Sequence, residues 1–355
     1  MKEMRRDPIT RKWVIVDVDT DVKEVLTHLK AAVKKGARGF SKEECDFCPG
    51  HEGTTPPSIM EFEPGQFRYQ SHEPQWKTRV VPNRDPVFQI EGHLNRRPVG
   101  SYDVMDALGA HEIIIEHRQH IDWDEMSQED VAGILSTYSE RMNDLSKDER
   151  FGHVFIFKNY GPHSNSHIPH PHSTLIASPS VPERIRRELD FTRRHFQMKE
   201  RCLFCDIINE EIRRKSGSGL VRLYTNFVTI TPYFSSHPFE TWILPRRHDS
   251  NFRNLSPDLF PELASVLQEN LRTVKKLVGP LSYTQLLFTR PNKIWGGDRD
   301  YWTTIDSDYH WHFKFLPRFP RLAGFHRSFS AGSGYMINQV PPEKAAELLR
   351  SKLGV

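Results

Sequence analysis

The 355-residue chain has four cysteines, and they fall as two Cys-x-x-Cys pairs, Cys45/Cys48 and Cys202/Cys205, with none left over. Each pair is followed downstream by a lone histidine and then by a His-x-His. The first set continues with His120 and His170-Pro-His172, the second with His248 and His310-Trp-His312. A four-part order repeated this way constrains the fold more than any single motif does, and it predicts one metal-binding module used twice. Thiolates and imidazoles suit Zn²⁺, and two of each complete a tetrahedron. Residues i and i+2 of a strand share a face. If His170 binds metal, His172 therefore sits beside it and is free for chemistry.

The apolar patterning runs in the same order in both halves. Each cysteine pair leads to a β-rich region ending in an apolar strand, 111–116 or 240–245, that runs toward its lone histidine. A helix follows each. Val131, Ile134, Leu135, Tyr138, Met142 and Leu145 make one stripe, with Ser127 as the N-cap and Glu129 and Asp130 in the first turn. Its counterpart begins near Ser256-Pro257 and stops at Gly279, with a stripe from Leu259 to Leu277. Strands at 154–157 and 284–288, a polar loop, and a strand opened by the His-x-His complete each half. Matching landmarks are offset by 157 residues at the cysteines, 128 at the lone histidines and 140 at the His-x-His. The repeat is therefore one of structure with unequal insertions. The charged stretch 182–200 reads as a helical linker between modules spanning 1–195 and 196–355.

Net charge is +3 and no long block of like charges occurs, which argues against a nucleic acid polymer as partner. The apolar runs are far too short to span a membrane, and the start, Met-Lys-Glu-Met-Arg-Arg-Asp-Pro, lacks the apolar core of a signal peptide. The expected compartment is cytoplasmic, where paired cysteines are metal ligands more often than disulfides.

Several segments then carry a resemblance. Arg5-Arg-Asp-Pro-Ile-Thr-Arg-Lys-Trp-Val-Ile15, Cys45-Asp-Phe-Cys-Pro-Gly-His-Glu52, Val80-Val-Pro-Asn83, Phe157-Lys-Asn-Tyr-Gly161, His170-Pro-His172 and Gly332-Ser-Gly-Tyr-Met-Ile-Asn338 resemble the galactose-1-phosphate uridylyltransferase family of the histidine-triad superfamily. The likeness is greatest to its ADP-glucose phosphorylase-like branch and spans nearly the whole chain.

The resemblance implies an α+β fold of two tandem histidine-triad-like modules, each an antiparallel sheet with packed helices. It also implies a nucleotidyltransferase that moves a nucleoside monophosphate between a nucleoside-diphosphate sugar and a hexose 1-phosphate. His172 matches the nucleophile that forms a covalent nucleotidyl-histidine. Cys45, Cys48, His120 and His170 match one zinc site, and Cys202, Cys205, His248 and His310 the other, giving two Zn²⁺ per chain. Asn83 matches a position near the nucleoside, and Asn159 and Gly161 match the loop around the phosphates. The implied partners are nucleotide-sugar and sugar-phosphate substrates, with a homodimer as an open alternative.

The chain departs from the family pattern at four places. Asn165 and His167 stand where the phosphate loop has Gly and Ser, Thr174 replaces the Gln two residues after the nucleophile, and the acidic stretch 17–23 replaces a basic one. Lys158, Arg246, Arg247 and Arg290 are the candidates to restore positive charge. These departures keep two alternatives open: an ADP-sugar phosphorylase or nucleotide hydrolase of the same superfamily, and a zinc-stabilised nucleotide-binding protein with little turnover.

Overall fold

The computed structural model describes all residues except 37–44, 70–74, 165, 167, 215–216, 294–301, 320–323 and 355. In chain order the first half holds β1 (Lys2–Arg6), β2 (Trp13–Asp17), α1 (Val22–Gly36), β3 (Met60–Glu63), β4 (Gln66–Tyr69) and β5 (Thr78–Pro82). It continues with the hairpin β6 (Arg97–Val99) and β7 (Tyr102–Val104), then β8 (Ala110–Ile115), α2 (Gln128–Leu145), β9 (His153–Tyr160) and β10 (His172–Ser178). The charged stretch at the centre is helical, as expected: α3 runs Glu183–Lys199. The second half follows with α4 (Leu203–Arg213), β11 (Leu220–Leu223), β12 (Phe227–Ile230), β13 (Thr241–Pro245), α5 (Phe260–Val278), β14 (Ser282–Phe288), α6 (Ile305–Asp308) and β15 (His312–Arg318). Helix α7 (Gly324–Ser333), β16 (Met336–Asn338) and α8 (Pro342–Leu353) close the chain.

Eleven strands form one sheet in the order β11-β12-β13-β15-β14-β9-β10-β8-β5-β3-β4. Read outward from its centre, β9-β10-β8-β5 of the first half mirrors β14-β15-β13-β12 of the second. This is the repeat that the cysteine–histidine order announces. All neighbours in this sheet are antiparallel, including β9 with β14, where Tyr160 faces Tyr283 and Ile156 faces Leu287. The two halves thus share backbone hydrogen bonds as well as side-chain contacts. A small second sheet, β1-β2-β16, contains a parallel pair, β16 with β2, which ties the C-terminal region to the start of the chain.

The helices follow from their apolar stripes. Ser127 caps α2 by accepting from the Asp130 amide, and Val131, Ile134, Leu135, Tyr138, Met142 and Leu145 are all buried. Its counterpart α5 starts later than the sequence suggests. A 3-10 turn over Pro257–Leu259 precedes it, because proline suits a first helical turn but not an interior. Gly279 ends α5 at a φ of 94°. Helices α2 and α5 cover one face of the sheet, meeting Ile114, Val154, Ile156, Leu175, Ile243, Leu287, Phe313 and Phe315. Period-two alternation then sends His172, Thr174, Phe155, Phe157, Asn159, Thr284 and Leu286 to the opposite face. No helix among the described residues is long and apolar enough to cross a membrane.

Candidate active site and metal centres

The structure brings both predicted ligand sets together. Cys45, Cys48, His120 and His170 place one donor atom each within 4.8 Å of one another, and so do Cys202, Cys205, His248 and His310. In the first set Cys48 Sγ lies 3.1 Å from His120 Nε2 and 3.8 Å from His170 Nδ1, while Cys45 Sγ lies 3.6 Å from His170 Nδ1. In the second, Cys205 Sγ is 3.4 Å from His248 Nδ1 and 3.6 Å from His310 Nδ1. A tetrahedron built on Zn–S and Zn–N bonds of about 2.3 and 2.0 Å has edges of roughly 3.3–3.8 Å, so the donor sets fit that ion. The rear nitrogens are held as well. His170 Nε2 meets the His117 carbonyl at 2.6 Å, His310 Nε2 the Pro245 carbonyl at 2.9 Å, and His248 Nε2 the Asp306 carbonyl at 2.8 Å. Each ring therefore donates backward and turns a lone pair to the metal position, the usual arrangement of metal-binding histidines.

His172 opens β10, two residues after His170. Its Nδ1 donates to the His170 carbonyl at 2.7 Å, which leaves Nε2 as the nitrogen with a lone pair. No described residue takes that nitrogen. Burial pushes the imidazole below its usual pKa, which outweighs the hydrogen bond to His170 and the nearby Glu116 charge. The half-buried ring is neutral at pH 7, the form a nucleophile needs. Phe47, inside the Cys45–Cys48 turn, packs edge-on to His170 and to His172, with centroids at 6.1 and 5.7 Å. The Cys45–Cys48 turn therefore sets the position of the His172 ring.

The second half repeats the device and blocks it. His312 Nδ1 meets the His310 carbonyl at 3.0 Å, but Nε2 is buried and has no partner. The ring is stacked on Phe288 at 4.9 Å and on Trp242 at 5.1 Å, with Phe204 at 4.9 Å. Phe204 occupies in Cys202-Leu-Phe-Cys205 the place of Phe47. That shared phenylalanine is visible in the sequence and marks the contact between metal turn and histidine, a signal that the cysteine spacing overshadows.

Other predicted residues take distinct places. Thr174 lies on the face of His172, opposite Phe157 on β9. Asn159 accepts from Thr284 Oγ1 at 2.8 Å, across the junction of the two halves. Gly161 follows β9 at a φ of 82°, and a Cβ there would come within 2.5 Å of Ser282 Oγ, so only glycine suits this turn. Asn83 is held at the other end of β8, with Nδ2 2.9 Å from His111 Nε2. Asn165 and His167 lie outside the described residues.

Of the candidates for restoring charge, Lys158 faces away from His172. Lys158 alternates onto the helix-covered face, where it bonds Glu116 and stands 3.3 Å from Asp122, because both carboxylates are buried there and demand a cation. Arg290 pairs with Asp306 at 3.1 Å, and Arg246 donates to the carbonyls of Tyr224 and Thr225. Arg247 is exposed. Among the described residues two cations line cavities with Asn159: Lys275, which is paired with Asp122 and Asp124, and Arg318, beside His237 and Thr284, in a space of about 680 Å³ over the open face of the sheet. Nothing in the local sequence around Arg318 singles it out, because its place depends on pairing between strands of different halves.

Residues 1–182 match the family model described as galactose-1-phosphate uridyl transferase, N-terminal domain. The chain belongs to the galactose-1-phosphate uridyl transferase family. Within it, the chain is 27% identical to the ADP-glucose phosphorylase of Arabidopsis thaliana, over 98% of this chain and 92% of that protein. It is 26% identical to the galactose-1-phosphate uridylyltransferase of Thermotoga maritima, over 99% and 98% of the two chains. The crystal structure of the Arabidopsis ADP-glucose phosphorylase with bound ADP-glucose superposes with a TM-score of 0.79 at 25% identity, covering 99% of this chain and 98% of that one. The α+β fold with tandem histidine-triad-like halves is thus shared with this transferase family.

Proposed function

We propose that this protein is a nucleotidyltransferase that moves a nucleoside monophosphate between a nucleoside-diphosphate sugar and a hexose 1-phosphate. The observation that carries this reading is His172: a neutral imidazole, oriented by its own chain through Nδ1, with Nε2 free on the open face of the sheet. In the first step Nε2 forms a bond to the α-phosphorus of the donor, and the sugar 1-phosphate leaves with the electrons of the broken P–O bond. In the second, a phosphate oxygen of the acceptor forms a new P–O bond while the P–N bond breaks and its electron pair returns to Nε2. One displacement becomes two easier ones, with ping-pong kinetics as the signature.

Asn83 serves the nucleoside, and Asn159, the Gly161 turn and His167 serve the phosphates. Thr174 offers one hydroxyl donor to a phosphoryl oxygen. The module 1–195 carries the chemistry and the module 196–355 supports it. Each Cys₂His₂ set would hold one Zn²⁺. With four protein donors at each, no position is open to activate water, and the metal's contribution is to lock the turn that carries Phe47 or Phe204.

The likeness to an ADP-glucose phosphorylase supports a second reading, in which inorganic phosphate is the acceptor and His172 acts identically. Exchange of labelled sugar phosphate against a panel of UDP- and ADP-sugars tests both. His172→Ala should abolish exchange with zinc content unchanged, and a fully active His172→Ala protein would defeat the mechanism.

A further inference from the structure

Arg318 is half-buried, and among the described residues it is ion-paired to no carboxylate. Its Nε donates to Thr284 Oγ1 at 3.0 Å and its Nη1 to His237 Nε2 at 3.2 Å. A guanidinium can only donate, so His237 accepts through Nε2 and keeps its proton on Nδ1. That Nδ1–H donates to Ser236 Oγ at 2.8 Å, and Ser236 in turn donates to Glu240 at 3.0 Å. The chain of bonds anchors one edge of the guanidinium. Its remaining N–H groups have no protein partner among the described residues, in the cavity that Arg318 and Asn159 both line.

The position of this cation follows from strand register. Thr284 on β14 faces Asn159 on β9, and Thr174 on β10 faces Phe157, so continuing the register sets His172 in the row of Asn159 and Thr284. Neighbouring strands lie about 4.8 Å apart, which puts Thr284, and the guanidinium bonded to it, about 10 Å from His172. An acceptor phosphate must touch the phosphorus on His172, so Arg318 does not meet that phosphate. It meets what lies a hexose ring further on. Asn83, proposed above for the nucleoside, lies across β8 from His172 and four residues farther along it, beside His111 rather than Ile115 and away from Thr284, which leaves this side for the sugar.

We propose that Arg318 makes the site selective for a sugar 1-phosphate with a second anionic group at the far end of the ring, a C6 carboxylate or a 6-phosphate. The inference rests on the transfer at His172 proposed above. A fork of unshared N–H donors matches a carboxylate or phosphoryl group, and charge-assisted bonds to such groups are about twice as strong as neutral ones. The distal anion takes no part in bond making; it positions the acceptor.

The test offers wild-type protein, with UDP-glucose or ADP-glucose as donor, three acceptors: glucose 1-phosphate, glucuronic acid 1-phosphate and glucose 1,6-bisphosphate. One acidic acceptor should exceed the neutral one roughly 10–100-fold in kcat/KM, the range of a charged hydrogen-bond pair, and the arm that does so identifies carboxylate or phosphate. Arg318→Gln should cut that ratio at least tenfold, chiefly through KM, and Arg318→Lys should fall between. If circular dichroism shows that Arg318→Gln does not fold, Arg318→Lys carries the comparison, since it keeps the charge and loses the fork. Equal use of acidic and neutral acceptors by wild type, or a ratio that neither variant moves, overturns the proposal. Formation of the His172 adduct from donor alone reports the transfer reading separately. Calorimetric binding of the same acceptors decides the role of Arg318 even where no turnover occurs.

Discussion

Replacing Lys158 by Met should destabilise the protein by about 4 kcal/mol, the middle of the range for stripping one partner from a buried ion pair. Lys158 is 1% exposed and bonds Glu116, with Asp122 at 3.3 Å, and both carboxylates are fully buried. Asp122 would keep Lys275 at 2.9 Å and the Tyr283 hydroxyl at 2.7 Å, so its loss is partly compensated. Glu116 would keep only neutral donors: Ser173, the Trp123 indole at 2.9 Å and the Tyr138 hydroxyl at 3.2 Å. Its charge would then sit in the core without a cation, which is the costly outcome. Lys158→Met/Glu116→Gln removes both charges and should recover about half the loss. Urea unfolding followed by circular dichroism, in a double-mutant cycle, measures this coupling. A loss below about 1 kcal/mol in Lys158→Met, or a double mutant that costs the sum of the singles, would refute the reasoning.

Two further predictions follow from the same geometry. Cys45→Ser and Cys202→Ser should each lower zinc content by about one ion per chain and reduce stability, because metal binding is linked to folding; metal analysis of protein prepared without chelator checks this. His153 is fully buried, with Nε2 donating to the Thr289 carbonyl at 3.2 Å, and burial pushes its pKa down to about 4. The unfolded chain, with its histidine near 6.5, then binds more protons between these values. Stability from His153 is complete above about pH 6.5 and falls as pH drops through 4, by roughly 3 kcal/mol. His153→Leu should flatten the stability curve over that window, as urea midpoints at successive pH values would show.

Much of this fold is legible in the sequence, for identifiable reasons. The stripe from Val131 to Leu145 and the cap Ser127 are local signals, and local backbone physics obeys them. The cysteine–histidine order is legible through the insertions because residues that could share one metal ion tolerate long loops between them but not a change of donor. His172 is placed by its two-residue distance from His170, which period-two geometry carries into space. What the sequence hides depends on register between distant strands. Lys158 reads as a charge near the phosphates until β9 alternates it inward onto Glu116. Arg318, next to Pro317, shows its place only once β15 carries it opposite Ser282 on β14 and its Nε reaches Thr284. Proline at 257 delays α5 by a single turn of 3-10 helix, a boundary effect that apolar periodicity does not resolve.

A covalent bond between the nucleotide and one nitrogen of His172 is tested most directly by mass spectrometry. Wild-type protein incubated with a UDP- or ADP-sugar in the absence of acceptor, then digested without acid, should yield one peptide heavier by a nucleoside monophosphate. Fragmentation should place that mass on His172 and leave the peptide of His312 unmodified, since its Nε2 is buried against Phe288 and Trp242. A protein that turns over nucleotide sugars with no such adduct, or with the adduct on another residue, would contradict the account.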